Sequence, residues 1–236
     1  MLIALCTPIQ PAVAVLPTFD PATSKGIYFD GGASTSIHCA INSAFDVGLG
    51  DFTIDWWQKA DETQTARWPR IFQFGQGDRN SDGLAVSEEE DGNIYFWLDG
   101  SPPRQRGGNR ASAALTATPN TWTHIAVSRE TDQATLITTF RIFINGVPTT
   151  TNQLPFDISN NLNAPTQDLS LYIGGADAIN DGTFKGEITG FEITKRVKWT
   201  GVFTPPTDYN TTDPDRVLLI YPTSDFTSSG LTNLLD

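Results

Sequence analysis

The turn-forming pairs that punctuate this chain restrict its fold more than any other feature. Asp-Gly occurs at Asp30-Gly31, Asp82-Gly83, Asp91-Gly92, Asp99-Gly100 and Asp181-Gly182, and Asn-Gly at Asn145-Gly146. Such pairs supply the positive φ that tight reversals between strands require. The stretches between them read as strands. Residues 52–59 alternate apolar and polar up to Trp57, and residues 122–129 set Ile125 and Val127 on one face with His124 on the other. Residues 140–144 run into Asn145-Gly146 and on to Val147, the strongest hairpin signal present. Residues 169–173 and 186–194 follow, with Phe191 and Ile193 sharing a side. Residues 93–98 are apolar on both faces, which predicts a strand covered on each side. No window keeps apolar residues at i, i+3, i+4 and i+7 without Gly or Pro intruding, so amphipathic helices are not expected. About a dozen strands at such spacings predict an all-β sandwich or barrel.

Composition agrees with the pattern. The chain has 20 Asp against 7 Glu, and 30 Thr. Asp favours turns and Thr favours strands, whereas Glu would favour helices. The net charge of −12 therefore falls largely on loop tips, and its sign disfavours a nucleic-acid partner. No apolar run approaches the length of a membrane-spanning helix. With 14 Phe, 6 Trp and 5 Tyr, the 236 residues suffice for a large core.

Three parts are expected. Residues 1–25 carry Pro8, Pro11, Pro17 and Pro21 and no basic residue before Lys25. This fails the criteria of a secretory signal and reads as an extended arm. Its Val13, Val15, Leu16 and Phe19 must lie on a surface, either the parent domain or a neighbour, and are candidate docking residues. Residues 26–206 form the body. Residues 207–236 form a tail in which 217–221 add one buried strand and 225–236 carry a short helical turn around Leu231, Leu234 and Leu235.

Seven segments occur in a telling order: 51–57, 70–75, 92–97, 121–129, 141–147, 171–175 and 184–193, from Asp51-Phe52-Thr53-Ile54-Asp55-Trp56-Trp57 to Phe184-Lys185-Gly186-Glu187-Ile188-Thr189-Gly190-Phe191-Glu192-Ile193. The series resembles the laminin-G-like branch of the concanavalin A-like lectin/glucanase superfamily. It is similar in particular to single-domain versions among structural proteins of tailed phages and large aquatic viruses. The resemblance covers about three-quarters of the chain. It implies a jelly-roll sandwich of two antiparallel sheets whose concave face or loop rim often binds glycans. It also implies a virion decoration, tail or fibre-associated subunit that docks on other virion proteins, forms a homo-oligomer and works at the virion surface or outside cells. A lectin module acting by carbohydrate adhesion to cell-surface glycans is the alternative, and a glycan-active enzyme a third reading.

The chemistry expected of that third reading is missing. Glucanase relatives carry E-x-D-x-E or E-x-D-x-x-E, since glycoside cleavage needs one carboxyl to donate a proton and another to attack or activate water. The nearest approach, Glu89-Glu90-Asp91-Gly92-Asn93-Ile94, lacks the third carboxylate. His38 and His124 are the only histidines, and Cys6 and Cys39 have no nearby Lys or His to activate them. No enzyme is therefore expected, and no cofactor is required. Spacing alone leaves Cys6 and Cys39 compatible with a bridge or with two thiols.

Two binding patterns remain. Asp78-Arg79-Asn80-Ser81-Asp82-Gly83 followed by Glu89 matches the letter of an EF-hand calcium loop, but its flanks read as strands. What survives is a simpler loop site for Ca²⁺ built from Asp78, Asn80 and Asp82, with Asp177, Asn180 and Asp181 as a second set, beside the plainer reading of Asp-rich turns. For glycans, Trp68 with Arg70 and, separately, Trp199 are candidate stacking platforms, beside the plainer reading of each as a cap on a sheet edge or the core rim. Arg104, Arg106 and Arg110 form a small basic loop suited to an acidic neighbour.

Overall fold

A computed structural model describes residues 2–3, 16–32, 35–40, 43–64, 66–74, 84–98, 108–115, 118–156, 170–175 and 182–222. In chain order the strands are β1 (Leu2–Ile3), β2 (Ile27–Asp30), β3 (Ile37–Cys39), β4 (Phe52–Ala60), β5 (Arg70–Phe74), β6 (Leu84–Glu88), β7 (Asn93–Leu98), β8 (Gly108–Ala114), β9 (Thr123–Asp132), β10 (Ile137–Ile144), β11 (Val147–Pro155), β12 (Leu171–Ile173), β13 (Lys185–Thr194) and β14 (Arg216–Ile220). The one helical element among the described residues is a single 3₁₀ turn, Ser43–Phe45.

The strands form two sheets. The first runs β1-β3-β12-β5-β6-β7-β8, and the second runs β11-β10-β9-β4-β13, with β14 and β2 pairing different parts of β13. All described pairings are antiparallel except β1 with β3 and an isolated bridge from Arg70 to Thr183. This is the two-sheet jelly-roll sandwich that the family resemblance implies, and one of the two architectures the strand pattern allows.

Period-two alternation decides what lies between the sheets. From the second sheet Phe52, Ile54, Trp56, Ile125, Val127, Phe140, Ile142, Phe191 and Ile193 point inward; from the first come Phe72, Phe74, Leu84, Val86, Ile94, Phe96, Leu171 and Ile173. Trp56 sits at the centre, 5.5 Å from Phe72 and 6.3 Å from Phe191 between ring centroids. Each such buried side chain contributes about 1.5–3 kcal/mol of transfer free energy. The β10–β11 reversal falls at Asn145-Gly146, whose φ values of 50° and 77° suit a primed hairpin turn.

The two outward faces differ. That of the second sheet is covered by the chain itself. Residues 195–210 cross it as a strap: Thr53 donates to the Arg196 carbonyl, Lys198 N–H to Thr53, Trp57 Nε1 to the Pro206 carbonyl and Phe203 N–H to the Gly146 carbonyl. Phe19 joins in, 2% exposed and packed with Trp57, Trp122, Tyr209 and Tyr221, with Leu16 against the same cluster. Of the four arm residues expected to dock, Val13 and Val15 lie outside the described residues, and Leu16 and Phe19 rest on their own domain. Phe19 is thereby removed from any set that a neighbour could grip. The tail strand is β14, and residues 225–236 lie outside the described residues.

Beneath the strap is a buried ionic cluster. Asp55 on β4 stands directly opposite Glu192 on β13, a like-charge pair that would repel if left alone. Lys198 from the strap bridges them, its Nζ 2.9 Å from Asp55 and 3.1 Å from Glu192, and Arg216 reaches Glu192 at 3.2 Å. Arg129, 1% exposed, donates to the carbonyls of Val47, Gly48 and Gly50 and so fixes the bend before β4. Burial lowers its pKa to about 10. Cys39, fully buried on β3, is disulfide-bonded; Cys6 lies outside the described residues.

Candidate functional site

The outward face of the first sheet carries a different set of side chains, and strand register arranges them in rows. One row runs Arg70, Ser87, Tyr95, Ser112 across β5 to β8. The next runs His38, Tyr172, Gln73, Ala85, Trp97 across β3, β12, β5, β6 and β7. Residues directly opposite in antiparallel strands share a face, so all of these project away from the core. Tyr95 and Trp97, on one strand two residues apart, stack with centroids 5.7 Å apart and planes 21° off parallel. His38 and Tyr172 stack at 4.5 Å and 10°. All four aromatic rings are half-buried.

These outward rings correct the expectation for residues 93–98. Ile94 and Phe96 enter the core, but Tyr95 and Trp97 stand on a face that is not fully covered. An unbroken apolar run is what two buried faces produce, and aromatic side chains on one half-open face produce it too. The available signal was that the second face consisted of Asn93, Tyr95 and Trp97, a polar residue and the two large apolar residues with a polar handle.

A hydrogen-bonded rim holds the Tyr95–Trp97 pair. Trp97 Nε1 donates to Ser87 Oγ at 3.1 Å, and Ser87 in turn donates to Glu89 at 3.2 Å. Tyr95 donates its hydroxyl to Asp91 at 2.6 Å, and the Asn93 side chain donates to the same carboxylate at 2.8 Å. The Tyr95 and Asn93 bonds hold the Asp91 carboxyl below the usual range, while burial raises that of Glu89. Gly92, with φ of 77°, supplies the reversal that brings Asp91 back toward Tyr95.

Next to this rim lies a cleft of about 230 Å³ at the end of the sandwich. Gln58, Glu88, Glu89, Glu90, Thr121 and Thr123 are among its lining residues. Gln58 accepts from Trp56 Nε1 and donates to Glu88, both at about 2.9 Å or less. Burial raises the Glu88 carboxyl, against the opposing effect of that donated bond.

The sequence candidates separate. Trp68 is half-buried beside the cleft, with the Arg67 guanidinium 4.4 Å from its ring centroid and Arg67 paired with Glu90 at 2.9 Å. Arg70 heads the row that contains Tyr95. Trp199 belongs to the opposite sheet: it lies in the strap, stacked on Phe203 at 3.8 Å and 5°, with the Lys198 ammonium 4.4 Å from its centroid. Trp68 and Trp199 therefore cannot form one platform, and Trp199, half-buried like Trp68, packs against Phe203 within the strap. His124 is fully buried with Nε2 3.3 Å from Asp55. Asp78, Asn80, Asp82, Asp177, Asn180, Asp181, Arg104 and Arg106 lie outside the described residues. Among the described residues no group of three or more His, Cys, Asp or Glu is placed to hold a metal ion.

Chemically, the face of the first sheet offers flat π surfaces beside fixed carboxylates, hydroxyls and a guanidinium. That combination suits a ligand with an apolar flank and a hydrogen-bonding edge.

Comparison with solved structures finds the same fold. The CBM40 module of the Ruminococcus gnavus IT-sialidase is 15% identical, with 75% of this chain and 92% of that one covered at a TM-score of 0.51. A Bacteroides ovatus protein named as a putative carbohydrate binding protein is 18% identical, with 87% of this chain and 54% of that one covered at 0.52, so the chain spans about half of it. Domains LG4-5 of the mouse laminin alpha1 chain give 14% identity, 80% and 48% coverage and 0.47. No curated protein sequence matches the chain. The laminin G profile of the concanavalin A-like lectin/glucanases superfamily matches residues 18–198, which takes in β2 to β13 of the sandwich and part of the strap that seals one face. The chain belongs to that family.

Proposed function

We propose that this protein is a carbohydrate-binding module that works outside cells, and that it binds on the outward face of the first sheet. The observation that carries the reading is the half-buried Tyr95–Trp97 stack, tied by hydrogen bonds to Asp91 and Ser87, and through Ser87 to Glu89, with Arg70 in the same row as Tyr95. A pyranose presents C–H groups on its flat side and hydroxyls at its edge, which match a ring face and a polar rim. The carbohydrate-binding names of the R. gnavus and B. ovatus structures favour the same ligand class. An enzymatic reading is weakened by the sequence, where the E-x-D-x-E series of glucanase relatives is incomplete at Glu89-Glu90-Asp91-Gly92-Asn93-Ile94.

A glycan-array screen of the purified protein tests this. Trp97→Ala is expected to weaken binding by about tenfold or more, the size of one good stacking contact. Trp199→Ala, on the other sheet, is expected to leave it intact. Silence across the array from a folded protein, or equal loss in both variants, refutes the reading. Membership of a virus particle rests on the sequence resemblance, and the mass of the protein in solution, alone and with other particle components, tests it.

A further inference from the structure

The row that contains Trp97 holds a second aromatic pair that the binding reading does not use. Tyr172 and Trp97 lie on β12 and β7, with β5 and β6 between them. Three interstrand steps separate their backbones by roughly 14 Å. Between them the row is low: Gln73 is 7% exposed and Ala85 ends at its β-carbon. Two raised aromatic pairs thus bound a floor of Gln73, Ala85 and Ser87, the last fully buried. One pyranose cannot touch both pairs. A pyranose unit lengthens a glycan by about one interstrand step, so a chain of about four units crosses from one pair to the other.

Charge narrows the choice further. Asp91 and Glu89 adjoin Trp97 and Tyr95, and Arg70 is the single cation in the two outward rows among the described residues. The whole chain carries −12. An acidic sugar would be placed against two carboxylates in a repelling field.

We propose, building on the carbohydrate reading above, that the ligand is a neutral oligosaccharide of at least about four units that lies across strands β12 to β7 and contacts both Tyr172 and Trp97. Shorter sugars use one aromatic pair only, and glycans ending in carboxylate-bearing or sulfated sugars are selected against.

Isothermal titration of the full chain tests this with neutral gluco-, xylo-, manno- and galacto-oligosaccharides, from monosaccharide to hexasaccharide, and with acidic counterparts of equal length. Affinity is expected to climb with length until the ligand spans both pairs and then to level. Tyr172→Ala is expected to weaken the longest ligands by about tenfold and leave disaccharides unchanged, whereas Trp97→Ala weakens both. Acidic counterparts are expected to bind about tenfold more weakly at low salt, a gap that narrows as salt rises. His38→Ala is a second variant, and near-ultraviolet circular dichroism verifies the fold of each. Length-independent affinity, no effect of either Tyr172→Ala or His38→Ala, or acidic ligands bound as tightly as neutral ones overturns this inference while leaving the carbohydrate reading in place. Absence of binding to any glycan by the folded chain removes both.

Discussion

Replacing Asp55 by Asn tests whether the strap is latched by charge. Asp55 is fully buried, 2.9 Å from Lys198 Nζ and 3.3 Å from His124 Nε2. Burial by itself raises its carboxyl, but the His124 contact and the Lys198 charge outweigh burial and hold it below the usual carboxylate range. Asp55→Asn leaves the Lys198 ammonium with Glu192 alone, at 3.1 Å. Breaking a buried ion pair from one side costs about 3–5 kcal/mol, and the surviving Glu192 contact puts this case near the lower end, about 3 kcal/mol. The sign with pH follows from the lowered value. A carboxyl with a depressed folded pKa stabilises fully above its unfolded pKa and loses that contribution as pH falls through the folded one. The cost of Asp55→Asn is therefore expected to be constant from neutral pH down to about 4 and to shrink below it. Urea denaturation followed by tryptophan fluorescence, repeated across that range, measures it. Asp55→Asn/Lys198→Met is expected to cost less than the sum of its parts, because removing both charges leaves neither stranded. A single-variant cost below about 1 kcal/mol at neutral pH, or strict additivity in the double variant, would refute the latch.

Two further outcomes follow from local geometry. Glu88 has a raised folded pKa, so the folded state holds its proton to higher pH and stability is lost as pH rises through that value; Glu88→Gln, which retains an acceptor for Gln58, is expected to flatten this loss and raise the melting temperature at pH 7, and a lowered one would contradict it. A β-carbon at Gly146 would fall 2.0 Å from the Phe203 carbonyl, whereas one at Gly92, with the same φ of 77°, meets nothing within 4 Å. Gly146→Ala is expected to cost about 2–4 kcal/mol and to alter Trp199 fluorescence by lifting the strap, against about 1–2 kcal/mol for Gly92→Ala; equal costs by urea titration would argue against a strap seated on that turn.

Legibility from sequence followed the physics of each element. Asn145-Gly146 announced its hairpin because a two-residue turn demands positive φ from its own residues. The strands of residues 52–60 and 185–194 were visible because their inward positions alternate. What covers a face is a property of distant segments, so the polar handles of Tyr95 and Trp97 were the one local sign in the run 93–98 that these rings look outward. For the same reason Trp68 and Trp199 were indistinguishable as platforms, although one lies by the cleft and the other is pinned under Lys198. Nothing local marks Asp55, Glu192 and Lys198 as a buried cluster; the strap, which arrives more than 140 residues after Asp55, brings them together. The row joining Tyr172 to Trp97 depends on the order β12-β5-β6-β7, which no local pattern encodes.

Because the strap seals one side of the sandwich while the aromatic rows of the other keep part of their surface open, the molecule has a back and a front. Fixed to a support or set in an array, it would present its aromatic rows outward in one mounting and hide them in the reverse. Residues on the front can also change identity without disturbing the latch behind, so the chemistry of that face is free to drift while the frame stays constant.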